Sequence, residues 1–407
     1  MPLFYLRNFS SDGKLINLWN ISSEKKRLSI GLKGQCQKNF FYGRDRVFEQ
    51  ILGDIEAGAS TVLRDVVKDR KLPLQWHKNY KDLMLYILIQ HFRTQNSSEA
   101  LIDHTKQKKD ILKKYEGRVR EGLVKKIDRE YEMIKQVAPQ GGILSAFKNF
   151  DSVAELAIKL LINKTGTEFI TSDHPVVLYN QLLNYDREIQ QKMPYPTTGL
   201  VAKGIQFFFP ISPTKALLMY DDQMYSIGNS DKTNIPIYHK QDVTAINMLQ
   251  MCSGSQNIYF KDGAFGVENL HNISEPYMKK ILNDLYSTPE PKIEDFTNVE
   301  ETKSGFSVIS FRGIHTDLNL PLIRLKPDAK EFQAEVKRSI ENGIVPVRKF
   351  WRKLPVDGTG TSSPFADKIN LMEKNIIDLM KKVYIKANRR DIGEHWYQAI
   401  QAFLKIP

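Results

Sequence analysis

The hydrophobic period of this chain changes near residue 165, and that change constrains the fold more than any other feature. From Arg46 onward, Phe48, Ile51, Leu52, Ile55, Leu63 and Val66 recur at helical spacing. Trp76 to Gln95 reads as a second helix, and His104 to Glu132 as a charged helical run. The Gly141-Gly142 pair is expected to break the pattern before a helix resumes over Phe147 to Asn163. Ahead of these, Leu15–Ile21 and Arg27–Leu32 predict a β-hairpin. Beyond residue 165 the stretches Thr167–Val177, Ile205–Ile211, Ala216–Tyr220 and Ile258–Phe260 read as strands. Gln241–Met251 and Ser274–Tyr286 read as helices, the latter with Ser274 as cap and Pro276 in its first turn.

The C-terminal part predicts a strand at Phe306–Phe311, a helix at Asp328–Glu341 and, past a Gly/Ser/Thr connection at 358–364, an amphipathic helix from Ile369 to Val383. The expected class is α+β: a helical N-terminal layer packed on a small β-sheet core, with a helical C-terminal extension. Three segments follow from the breaks, 1–165, 166–286 and 292–407, the last two separated by Ser287-Thr288-Pro289-Glu290-Pro291.

With 59 Lys and Arg against 47 Asp and Glu, the net charge is +12. That excess favours a polyanionic partner, and equally describes a lysine-rich surface with no such role. Two cysteines, Cys36 and Cys252, supply neither a disulfide framework nor a multi-thiolate zinc site. No apolar run reaches the roughly 18–20 residues that span a bilayer, and no signal peptide opens the chain. The expectation is a soluble, cytoplasmic protein. P-loop, dinucleotide Gly-x-Gly-x-x-Gly, His-Glu-x-x-His and Gly-x-Ser-x-Gly patterns are all missing, which removes the main support for ATPase, dehydrogenase, zincin and α/β-hydrolase readings.

Two short segments concentrate polar chemistry in apolar surroundings. In Ser172-Asp173-His174-Pro175 a carboxylate and an imidazole stand at a strand end. Asp173 suits a metal ligand or general base and His174 an acid–base group. The competing account is a turn in which Asp173 caps backbone N–H groups. In Gln90-His91-Phe92-Arg93-Thr94, Gln90 and Arg93 share a helix face, as suits phosphate or carboxylate recognition; the alternative is an Arg93 paired with an acid such as Glu56. Glu56 and Asp173 together offer hard oxygen ligands for Mg²⁺ or Mn²⁺, against the plainer reading of a solvated helix carboxylate.

Basic residues cluster twice. The run holding Lys108, Lys109, Lys113, Lys114 and Arg118 is either a phosphate-tracking face or a helix surface laced with ion pairs. Arg348, Lys349, Trp351 and Arg352 interleave bases with an aromatic, for stacking on nucleic acid or for anchoring the C-terminal segment.

The segment Pro2-Leu3-Phe4-Tyr5-Leu6-Arg7-Asn8-Phe9, with Gln90 to Thr94, the Ser172-Asp173-x-Pro175 turn, Phe209-Pro210-Ile211-Ser212-Pro213 and Asn247, resembles a bacterial family of unknown function marked by an N-terminal His-Tyr-Val-Pro motif. The resemblance covers roughly residues 1–260. In this chain the motif's His-Tyr pair falls just before Met1, which leads us to expect a natural start upstream or a shortened form. The resemblance implies organisation and no mechanism.

The leading expectation is a nucleic-acid-acting protein, a metal-dependent nuclease or related phosphodiester-processing effector. Asp173, His174 and Glu56 would do the chemistry, Asp173 and Glu56 would hold the ion, and Arg93, Gln90, Ser172 and Asn247 would contact substrate. The alternatives are a non-catalytic binding or sensor module for nucleic acid or protein, and a small-molecule hydrolase. No nucleotide cofactor is implied.

Overall fold

The structure, a computed structural model, describes residues 1–35, 41–42, 47–75, 77–114, 122–184, 186, 188–189, 198–261, 266–286 and 318–339. The predicted strand at 306–311, the connection at 358–364 and the terminal amphipathic helix lie outside them.

The centre is a five-stranded sheet in the order β5-β6-β7-β3-β9, formed by β3 (Ala157–Asn163), β5 (Val177–Tyr179), β6 (Gln206–Ser212), β7 (Lys215–Tyr220) and β9 (Asn234–Ile237). Its ladders are antiparallel except for β3 with β9, which run parallel. Side chains alternate across this sheet. Phe207, Phe209, Leu217, Met219, Leu160 and Ile162 enter one core, while Phe208, Ala216, Leu218 and Leu161 enter another on the opposite face. The first core is covered by α2 (Val47–Asp69), α3 (Lys78–Phe92) and α5 (Leu123–Lys148), the second by α7 (Lys240–Ser253) and α9 (Pro327–Ser339). A sheet buried on both faces needs continuous apolar runs rather than alternation, and every residue of Gln206–Ser212 is buried.

A second sheet has the order β2-β1-β10-β4, built from β1 (Leu15–Asn20), β2 (Lys25–Gly31), β10 (Asn257–Phe260) and β4 (Thr171–Ser172). A two-stranded ribbon joins β8 (Tyr225–Ile227) to β11 (Ile323–Leu325). Two short helices complete the set: α1 (Leu3–Leu6), with Tyr5 and Leu6 buried, and α6 (Gln181–Asn184), buried throughout. Tyr5 of α1 reaches Thr171 Oγ1 and donates to the Pro210 carbonyl, both at 2.6 Å, which ties the N-terminus to both large sheets. Strands from either side of residue 165 share each of those sheets.

The α+β class and the N-terminal hairpin stand as expected, and four local readings are corrected. Ala157–Asn163 is strand, not the end of a helix, because its apolar run is buried on both faces. The single charged run is two helices, α4 (Gln95–Lys114) and α5, whose ion pairs Lys108–Glu130 and Lys113–Asp128 show them running in opposite directions. Gly141 and Gly142 do not interrupt α5: a Cβ at Gly142 would lie 2.4 Å from the Phe92 carbonyl oxygen, so glycine there permits α3 and α5 to touch. The last helix before residue 287, α8, begins at Val267, and Ser274 sits inside it with its hydroxyl on the Leu270 carbonyl. Among the described residues no helix is long and apolar enough to cross a membrane.

Candidate functional site

Helix α3 ends where the 172–176 turn begins, and the two polar segments singled out from the sequence meet at that corner. Thr94 Oγ1 lies 2.6 Å from His174 Nδ1, and His91 Nδ1 lies 3.1 Å from the Val176 carbonyl. The two imidazoles stand edge to face, 4.9 Å between centroids. Burial pushes His91 down to about 4, against the pull of the Val176 carbonyl, and holds His174 well below the usual histidine range, with the His91 charge acting the same way. Both rings are therefore neutral at pH 7, and each offers acid–base chemistry without carrying charge into the core. Thr94 also caps α4, accepting from the Ser97 N–H at 3.2 Å.

The turn itself is held from below by α7. Asn247 accepts from the Ile170 N–H and donates to the Glu168 carbonyl; Gln250 accepts from the Ser172 N–H and donates to the Pro175 carbonyl. Ser172 Oγ bridges within the turn to His174. Asp173 is engaged with the backbone of residues 255–257. Its carboxylate accepts three backbone N–H bonds from Ser255, Gln256 and Asn257, at 2.8, 2.8 and 3.2 Å. Burial nonetheless pushes its pKa up, the three donors opposing. This is the capping geometry that the sequence offered as the alternative to a metal ligand. Asn247 and Ser172, expected as substrate contacts, hold the turn.

On α3 the expected face is present and one residue longer. Tyr86, Gln90 and Arg93 fall at i, i+4 and i+7, one side of the helix. Arg93 donates to Glu56 of α2, and its guanidinium lies 6.0 Å from the Tyr42 ring centroid. Glu56 thus faces Arg93, and among the described residues no group of three His, Cys, Asp or Glu side chains is placed to hold a metal. Gln90 differs from Arg93, which has Glu56 as its partner. It is fully buried, and neither its Nε2 nor its Oε1 has a hydrogen-bond partner among the described residues. The Tyr86 hydroxyl is in the same state, and burial holds it well above the ordinary tyrosine pKa, so it is a neutral donor. Each such orphan costs about 1–3 kcal/mol, so three polar atoms on one helix face are a standing expense that the fold retains. Phe4 and Phe209 flank Tyr86, at 5.7 and 6.2 Å between centroids.

The basic run is largely self-paired: Lys108 meets Glu130, while Lys109 and Lys113 share Asp128. Lys114 ends α4, and Arg118, Arg348, Lys349, Trp351 and Arg352 lie outside the described residues. Sequence reasoning missed Tyr86, Gln250 and the closeness of His91 to His174. Tyr86 follows from helical spacing to Gln90, and Gln250 from its i+3 relation to Asn247. No local signal joins His91 to His174.

A family profile described as "Protein of unknown function (DUF4238)" matches residues 1–264, close to the span expected from the motifs. No curated protein and no solved structure matches the chain. The chain belongs to the DUF4238 family.

Proposed function

We propose that this DUF4238 protein recognises a phosphate-bearing partner, nucleic acid in the first instance, at the Tyr86–Gln90–Arg93 face. The observation that carries the reading is Gln90, a fully buried amide with neither atom partnered, one helical turn from a guanidinium. An amide and an arginine on one face are complementary to the oxygens of a phosphodiester. In the present state the Glu56 carboxylate supplies Arg93 with an oxyanion, which a phosphate would replace. The net charge of +12 supplies a favourable field for a polyanion.

A second reading, catalysis, is favoured by one observation: the neutral His174 imidazole beside the Thr94 hydroxyl. In its nuclease form Asp173 and Glu56 would take up Mg²⁺ or Mn²⁺. That requires Asp173 to release three backbone N–H groups and Glu56 to release Arg93, so binding is placed first.

The test is fluorescence anisotropy with labelled RNA and single- and double-stranded DNA across a salt series, comparing the chain with Arg93→Ala and Gln90→Leu. We expect saturable, salt-sensitive binding that weakens at least about tenfold in both variants, as loss of a charge-assisted or buried contact implies. Binding unchanged in both variants would remove the site from this role. Running the same samples with Mg²⁺ or Mn²⁺ separates the readings: strand cleavage abolished by Asp173→Ala promotes the nuclease, and intact strands leave a binding protein.

A further inference from the structure

We infer that a second surface, formed by Arg70, Lys164, Lys215 and Tyr238 at one end of the central sheet, binds single-stranded nucleic acid. The three cations take its phosphates and the tyrosine ring takes a base. The fold assembles this surface from four separate stretches of chain, so no window of sequence contains it. Lys215 opens β7 opposite Ile162 of β3. Lys164 directly follows β3, and its N–H donates to the Ile237 carbonyl of β9 at 2.9 Å, with Tyr238 the next residue. Arg70 follows α2, and Asn234 of β9 donates to its carbonyl at 2.9 Å. Arg70 and Lys164 are exposed and Lys215 is half-buried.

This cluster differs from the α4–α5 run in lacking counter-charge. Lys108, Lys109 and Lys113 each meet a carboxylate. Among the described residues Arg70, Lys164 and Lys215 meet none. Burial first, then the charges of Arg70 and Lys164, hold the Lys215 ammonium below the ordinary lysine pKa. Cations gathered without an acid repel one another and favour any anion laid against them. Arg70 also stands against backbone preference: its φ is 57°, the left-handed region where a helix end usually carries glycine. Tyr238 is 70% exposed, and no other Phe, Tyr or Trp among the described residues is exposed. A ring left in solvent beside unpaired cations is suited to stack a base while its phosphates are neutralised. Stacking needs an unpaired base, which favours a single strand over a duplex, and one ring is little apolar surface for seating on a bilayer. Arg70 lies 14 residues beyond Glu56, about 21 Å at helical rise. The surface is therefore separate from the Tyr86–Gln90–Arg93 face and does not rest on it.

The experiment is filter binding of the full chain to oligo(dT) and oligo(rU) of about 20 nucleotides, and to a duplex of that length, over a salt series. A triple variant carrying Arg70→Gln, Lys164→Gln and Lys215→Gln should bind single strands at least about tenfold more weakly. Its salt slope should be shallower by about 2, roughly 0.7 for each cation removed. Tyr238→Ala should weaken single strands about fivefold or more, with slope and duplex binding unchanged. Lys164→Gln alone, an exposed change, serves if the triple variant fails to fold and should take about 0.7 from the slope. Loss in the triple variant with binding by Arg93→Ala intact supports this surface and removes the phosphate role from the other. Affinity and slope unchanged in the triple variant overturn it, whatever Arg93→Ala does. A loss that Tyr238→Ala does not share overturns the single-strand assignment. Phosphatidylserine vesicles bound by the chain and released by the triple variant, with no oligonucleotide bound, overturn nucleic acid in favour of an anionic membrane.

Discussion

Asp173 shows how one side chain can be read correctly by type and wrongly by task. A carboxylate at a strand end before a proline is what either a metal site or a capped turn requires, and only the three N–H groups of residues 255–257 decide between them. Asp173→Ala should cost about 1–3 kcal/mol, since it strands those donors, and should do so without any metal present. Chemical denaturation with and without a chelator measures this; a cost that appears only without chelator would restore the metal. His91 makes a different claim. Its pKa falls from 6.5 to about 4 on folding, so between those values the unfolded chain binds a proton that the folded chain refuses. Stability should therefore be complete above about pH 6.5 and fall as pH drops toward 4, by about 3 kcal/mol for this ring. His91→Gln should flatten part of the melting-temperature profile over that window, with His174 contributing the remainder. The imidazole pair was not legible in the sequence because Thr94 and His174, which lock it, are 80 residues apart.

At the level of elements, the legible parts were those with one buried face. The helix stripe of α2 and strand β1 follow from apolar residues set among polar ones, while β2, which has no buried residue, follows from the polar turn that joins it to β1. β3 was misread because both of its faces are buried, and its only charge hides: Lys159 spends its ammonium on the carbonyls of Asn229, Ser230 and Lys232. Period analysis has nothing to count in such a segment. The glycines of α5 were misread for a complementary reason, since a close helix crossing leaves the same mark as a break. Helix propensity alone predicts that Gly142→Ala stabilises by about 1 kcal/mol. The Phe92 carbonyl 2.4 Å from the added Cβ predicts the reverse, a loss of about 1–3 kcal/mol from forced separation of α3 and α5. The sign of the change in thermal unfolding settles which effect wins, and the same change should disturb Gln90, two residues before Phe92.

For the whole molecule, the sheets decide what folds with what. β1 has β2 on one side and β10 on the other, while β3 pairs with β7 and β9. An isolated 1–165 fragment would carry β1 and β3 without those later partners. We expect it to show helical circular dichroism without a cooperative melt, whereas a 1–286 chain should unfold in one transition. Sharp melting of the short fragment would refute this. The pairing has a cost in time. β1 is made early, but Asn257–Phe260, which completes its far side, is made some 240 residues later, about 12–50 s at ordinary synthesis rates. Throughout that interval Ile16, Leu18 and Trp19 flank an open strand edge, so the nascent chain is most vulnerable to wrong pairing at its oldest end.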